Sequence, residues 1–369
     1  MQLDIFDEKQ GGQPAILESE LGDEQVLQEI RHYKEKFKHS VVILGHHYQQ
    51  DDVIQFADYI GDSLQLAREV AKLKGMTYIL FCGVHFMAET ADMLTADNQH
   101  VILPDLNAGC SMADMARDKD VEDAWQYITQ CTPATVVPIT YINCSAGLKA
   151  LVGREGGAIC TSSNAGKVIA WALNKGEKLL FFPDQHLGRN TCFKMGIPLD
   201  QMVLYNPTVP HGGLTPDQIT KAKVILWYGY CSVHQGFTAK QVHAARAADP
   251  AVTVLVHPEC CFEVVQASDL AGSTSYIIKT IEAAPRGASF VVGTEINLVN
   301  RLARLHPDKK IRSLSPFQCL CTTMYRVRPR WLLEAFRSIE RGKPVNIIKV
   351  SPDVRHHALK ALDRMLAIV

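Results

Sequence analysis

Three cysteines close three similar stretches of this chain, and thiolates brought together from such distant points suit a shared metal site. Cys110 closes a stretch that opens with VVILGHHY (41–48) and passes through GDS (61–63). Cys231 closes one that opens with TVVPITYIN (135–143) and passes through TSS (161–163). Cys321 closes one that opens with TVLVHPE (253–259) and passes through GSTS (272–275). His46 precedes Cys110 by 64 positions, and His257 precedes Cys321 by the same interval. No CxxC pair occurs among the 11 cysteines, which argues against a zinc ribbon or a thioredoxin-type site. Three thiolates, one from each related unit, suggest an iron–sulfur cluster with one iron left open. Such a site favours Lewis-acid work on a substrate over electron carriage.

The polar residues around these cysteines match that chemistry. Ser63, Ser162 beside Ser163, and the Ser273–Thr274 pair begin predicted helices, where free amide N–H groups bind carboxylate or phosphate. One such residue reads as a plain N-cap; three at equivalent positions point to an anionic substrate. His46 and Tyr48, Tyr141 and Asn143, and His257 and Glu259 fall at the ends of predicted strands. Histidine and glutamate beside an open iron suit proton abstraction next to a carbonyl or imine. Tyr48 and Tyr141 can hydrogen-bond an anion or relay a proton. His234, three residues after Cys231, can orient the cluster loop or a substrate group, while His186 in PDQHLG fixes its own turn.

Short β-branched runs alternating with amphipathic segments must position these groups. Continuous apolar strands at 41–45, 77–81 and 101–104, separated by helices, indicate a parallel sheet covered on both faces. The same order returns twice, so the expected fold is α/β, with three similar α/β/α units about a pseudo-threefold axis and the active site at the centre. Ligands gather beyond the carboxyl ends of such strands, where the polar residues lie. The first unit is expected to span 1–118, with an N-terminal extension at 1–22, and to be completed by 346–369. The second spans 119–235 and the third 236–345. The second is longer by an insertion near 189–218, which its Gly and Pro content marks as a loop excursion. The last helices and strand are expected to pack back against the first unit.

With 369 residues and 47% hydrophobic content, the chain can build two or three ordinary cores. Lys and Arg total 38 against 39 for Asp and Glu, so no bulk charge draws it to nucleic acid or membrane. The first residues lack the order of a signal peptide, and no apolar run reaches the roughly 18 residues of a membrane span. A cytoplasmic protein with free thiols is expected, Cys82 and Cys160 being ordinary buried ones.

Together LGHHYQ, GDSL, GVHFMAET, YINCSAGLKA, CTSSNA, PDQHLG, CSVH, VHPE, GSTS and CLCTTM resemble the quinolinate synthase family of bacterial NAD biosynthesis, in the longer form of Bacillus-type bacteria. The resemblance runs from about Val41 to the C-terminus. It implies condensation of iminoaspartate with dihydroxyacetone phosphate, releasing phosphate and water. It also implies a [4Fe–4S] cluster held by Cys110, Cys231 and Cys321, with one open iron. His46, Tyr48, Ser63, Tyr141, Asn143, Ser162, His234, His257, Glu259, Ser273 and Thr274 would contact substrate. Glu259, His257, Tyr48 and Tyr141 would handle protons. Functional coupling to the oxidase that produces iminoaspartate follows as well. Cys321 is favoured over Cys319 by its place three residues before Met324 and by the equal spacing. Cys319 could instead pair reversibly with Cys260 or Cys261. Two other classes stay open on the residues alone: a different pseudo-threefold iron–sulfur enzyme needing an electron donor, and a non-catalytic iron–sulfur redox sensor.

Overall fold

The computed structural model describes residues 22–317 and 320–368. Cys319 and almost all of the N-terminal extension lie outside them.

Among the described residues three sheets form, and the parallel strands of each come from a consecutive stretch of chain. The first holds β1 (Val41–His46), β2 (Tyr59–Gly61), β3 (Tyr78–Cys82) and β4 (His100–Ile102). The second holds β5 (Val136–Tyr141), β6 (Ala158–Cys160), β7 (Lys178–Phe182), β8 (Met202–Tyr205) and β9 (Val224–Trp227). The third holds β10 (Thr253–Val256), β11 (Leu270–Ala271), β12 (Ser289–Gly293) and β13 (Lys310–Ser313). A last strand, β14 (Ile347–Ile348), runs antiparallel on β4. All other pairings are parallel. The strands run β2-β1-β3-β4, β6-β5-β7-β9 and β11-β10-β12-β13, so each stretch places its first strand second in its sheet. Every residue of β1 and β5 is buried, as strands covered on both faces require. Cys82 and Cys160 sit fully buried in their strands, ordinary core thiols as expected.

Two expectations need correction. The segment near 189–218 is not an unstructured excursion: it carries β8 and the helix Pro216–Lys221. The apolar MVLY run pairs with β9 from Met202↔Val224 to Tyr205↔Trp227 and extends the second sheet at its edge. The chain after Cys321 also divides its allegiance. Helix Pro329–Glu340 lies on helix Asp23–Lys36, with Phe336 stacked on Tyr33 at 5.9 Å, and β14 joins the first sheet. The final helix, Pro352–Ala367, packs chiefly against helix Ala146–Arg154 of the second stretch. Gly153 makes that approach possible, because a Cβ there would stand 1.9 Å from the His357 carbonyl oxygen. Helix Ser63–Val70 leaves through a turn from Leu73 N–H to Val70 O.

Candidate active site

The carboxyl ends of the strands open on one cavity. It is lined by His46, Tyr48, Ser63, Tyr141, Asn143, Ser162, His234, His257, Glu259, Thr274 and the three cysteines. Ser273 stands back from it and caps helix Thr274–Ala283, accepting the Tyr276 N–H at 3.3 Å. His186 also lies behind the wall and bonds Gln235, next to His234. Val84, Phe86, Met87 and Met112 supply an apolar side.

Each cysteine heads a helical turn of its own. The carbonyls of Cys110, Cys231 and Cys321 accept the N–H of Asp114, Gln235 and Tyr325, at 3.0, 2.8 and 3.0 Å. Each sulfur in turn faces the amide three residues on, from Ala113, His234 and Met324. Burial pushes the Cys110 thiol up to about 12, and the approach of Cys321 adds to it. Cys231 is raised well above the usual thiol range by burial, then by Glu259 and by the other two thiols. Cys321 is raised mainly by burial. The three sulfurs therefore lie within each other's fields, unpaired in any disulfide among the described residues. Converging thiols that bear N–H donors are a donor set suited to a cationic cluster, which would reverse the penalty on their ionisation.

Opposite them Glu259, 3% exposed, organises the acid–base groups. Tyr141 Oη donates to its Oε1 at 2.6 Å, and His234 Nδ1 stands 2.8 Å from its Oε2. Burial alone would raise this carboxyl, but the flanking His257 and His234 rings and the hydrogen bonds from His234 and Tyr141 outweigh it and hold it below the usual carboxylate range. Burial lowers His46 and His257 to about 3, so both rings are neutral near pH 7. His257 stacks on His234 with centroids 4.5 Å apart. Burial and the Glu259 charge raise Tyr48 and Tyr141 well above the usual phenol range, keeping both as neutral donors. From His234 Nε2 the path continues to Thr294 Oγ1 at 3.1 Å, to Tyr48 Oη at 2.9 Å and to Thr274 Oγ1 at 3.1 Å. Asn143 Oδ1 is buried with no partner among the described residues, an acceptor that a ligand could use.

Four residues of this site escape the sequence reading. Thr294 links His234 to Tyr48 but looks like any residue after a strand-end glycine. Asp62 caps helix Ser63–Val70, accepting Leu64 and Gln65 N–H at 3.1 and 2.9 Å, and lines the cavity beside Ser63. Its place in GDS was visible, though its cross-chain bonds were not. Asp184 and Glu295, both fully buried, cap the helices that follow β7 and β12. Burial and then Glu259 raise Asp184, and burial pushes Glu295 up to about 7. Glu295 Oε1 also accepts the Cys321 N–H at 3.4 Å.

A family model described as quinolinate synthetase A protein matches residues 28–367. The chain belongs to the quinolinate synthetase A family. Quinolinate synthase of Bacillus cereus is 52% identical over 346 residues, covering 94% of each chain. That of Bacillus cytotoxicus is 53% identical over 349 residues, with the same coverage. The span matched by the family takes in all three cysteine turns and every strand-end residue of the cavity. Among the described residues no helix is long and apolar enough to cross a membrane.

Proposed function

We propose that this chain condenses iminoaspartate with dihydroxyacetone phosphate to quinolinate, releasing phosphate and two waters, in the cytoplasmic supply of NAD. Cys110, Cys231 and Cys321 would hold a [4Fe–4S] cluster, which supplies a Lewis-acid iron when bound. The shared strand order and the three matching cysteine turns favour a pseudo-threefold relation between the units, with the cavity on its axis. The observation that carries the reading is the presence of all three cysteines in the cavity that holds the Glu259–His234–Thr294–Tyr48 path.

The residues divide the work by charge and position. Ser63, Ser162 and Thr274 offer hydroxyls beside helix starts to the carboxylates and the phosphate. Asn143 Oδ1 accepts the substrate N–H. Glu259, held as an anion, fixes His234 through Nδ1 and stabilises positive charge on that ring. The ring, Thr294 and Tyr48 then carry protons during enolisation and water loss. His46 and His257, neutral, serve as hydrogen-bonding groups rather than as cations. An imine hydrolyses in water, so the oxidation that makes iminoaspartate must run close to this enzyme.

Anaerobic protein and its Cys110→Ala, Cys231→Ala and Cys321→Ala variants should be compared for iron, sulfide and turnover of the two substrates without reductant. The wild type is expected to turn over, and all three variants to lose both iron and turnover. Cluster retention in all three variants would sink the ligand assignment, and a requirement for reductant would sink the reaction.

A further inference from the structure

Three consecutive backbone carbonyls of the turn after β1 are held by one helix of the third stretch, Ile296–Leu305. Arg301 Nη1 donates to His47 O at 2.7 Å, Asn297 Nδ2 donates to Tyr48 O at 3.2 Å, and Arg301 Nη2 donates to Gln49 O. Asn297 and Arg301 are four residues apart and so share a helix face. Arg301 Nε pairs with Asp51 Oδ1 at 2.8 Å, which spends the remaining edge of the guanidinium. That side chain is only 13% exposed. A buried carbonyl requires a donor, and within the turn itself Gln49 N–H serves only His46 O, at 2.9 Å. The phenol of Tyr48 turns the same way, to Thr274 and Thr294. Tyr48 is carried by the first stretch but receives both its backbone and its hydroxyl position from the third.

We propose that Asn297 and Arg301 are positioning residues that set the Tyr48 hydroxyl against Thr294 and keep the proton path to His234 and Glu259 continuous. The role rests on Tyr48 belonging to that path, as read above. A planar fork can serve two carbonyls and a carboxylate at once, whereas a lysine ammonium at the same place offers a single point of attachment. A displaced turn would move the Tyr48 oxygen, and shifts near 1 Å in such groups cost about 100-fold in rate. Asn297 also donates to Glu295 Oε1 at 3.1 Å, beside the Cys321 amide, so cluster content must be followed in parallel.

The test uses anaerobic holoenzyme carrying Arg301→Lys, Asn297→Ala or Tyr48→Phe, singly and with the first two each combined with Tyr48→Phe. Each single change should lower kcat by about 10- to 100-fold. Iron content and the electron paramagnetic resonance of the reduced cluster should stay as in wild type. Either double variant should be no slower than Tyr48→Phe alone, because the helix acts through the phenol. Losses that multiply, a wild-type rate for Arg301→Lys, or loss of iron would overturn the proposal. A second readout needs no turnover: the 19F shift of 3-fluorotyrosine at position 48. It should move in Arg301→Lys and stay put in Arg304→Lys, whose half-exposed side chain pairs with Asp51 on the outer side and holds none of the three carbonyls. An unmoved signal in Arg301→Lys overturns the positioning role even if the substrates named above prove wrong.

Discussion

At the residue scale, burial and charge pull the site's titrating groups in directions that acid exploits. His46 and His257 are held near 3 by burial, against 6.5 for an exposed ring. Between those values the unfolded chain binds protons at these positions and the folded chain does not, so stability falls as pH falls. Each ring is worth about 1.4 kcal/mol per pH unit once the pH is well below 6.5. Urea unfolding at pH 7.5 and 5.5 should therefore differ by about 3 kcal/mol from these two rings. Replacing His46 with Asn should halve that dependence, and a flat profile would show that the rings are protonated in the folded protein.

At the element scale, the close approach of helix Pro352–Ala367 to helix Ala146–Arg154 depends on a missing side chain. Alanine in place of glycine inside a helix ordinarily adds about 1 kcal/mol of stability. At Gly153 the new methyl would meet the His357 carbonyl, and overpacking of this kind costs about 1–3 kcal/mol. Gly153→Ala should therefore destabilise the protein, with an unchanged denaturant slope; a gain in stability would mean the helices are not in contact. The same pair marks where sequence reading runs out. Strand runs such as VVILG and helix starts such as GDS announce themselves through local pattern and capping, so the core strands and most cavity residues were legible. The amphipathic stripe of the final helix says that it packs but not on what, and its partner lies some 200 residues away in the chain. Strand β8 was hidden by the Gly and Pro around it. Thr294, Asn297 and Arg301 carry no local signature, because their partners come from other stretches.

At the scale of the whole molecule, one carboxylate joins all three stretches beside the cavity. Asp62 Oδ1 caps its own helix, while Oδ2 accepts Ser163 Oγ at 3.3 Å from the second stretch and Ser275 Oγ from the third. Each partner is next in sequence to a cavity residue: Asp62 to Ser63, Ser163 to Ser162, Ser275 to Thr274. The segments that carry Ser63, Ser162 and Thr274 are thereby fixed relative to one another by a single group. Asp62→Ala would remove the cap, worth about 1 kcal/mol, and free both serines. On the function proposed above, its larger effect should fall on substrate binding, because Ser63, Ser162 and Thr274 would no longer hold a common spacing. Asp62→Asn keeps an oxygen for the helix amides, yet its NH2 cannot accept from a serine, so it separates the cap from the junction. A rise in KM for dihydroxyacetone phosphate in both variants, with faster amide exchange at 163–166 and 274–277, is the expected outcome. If Asp62→Asn matched wild type in KM and exchange while Asp62→Ala lost only stability, the carboxylate would be a helix cap and no more.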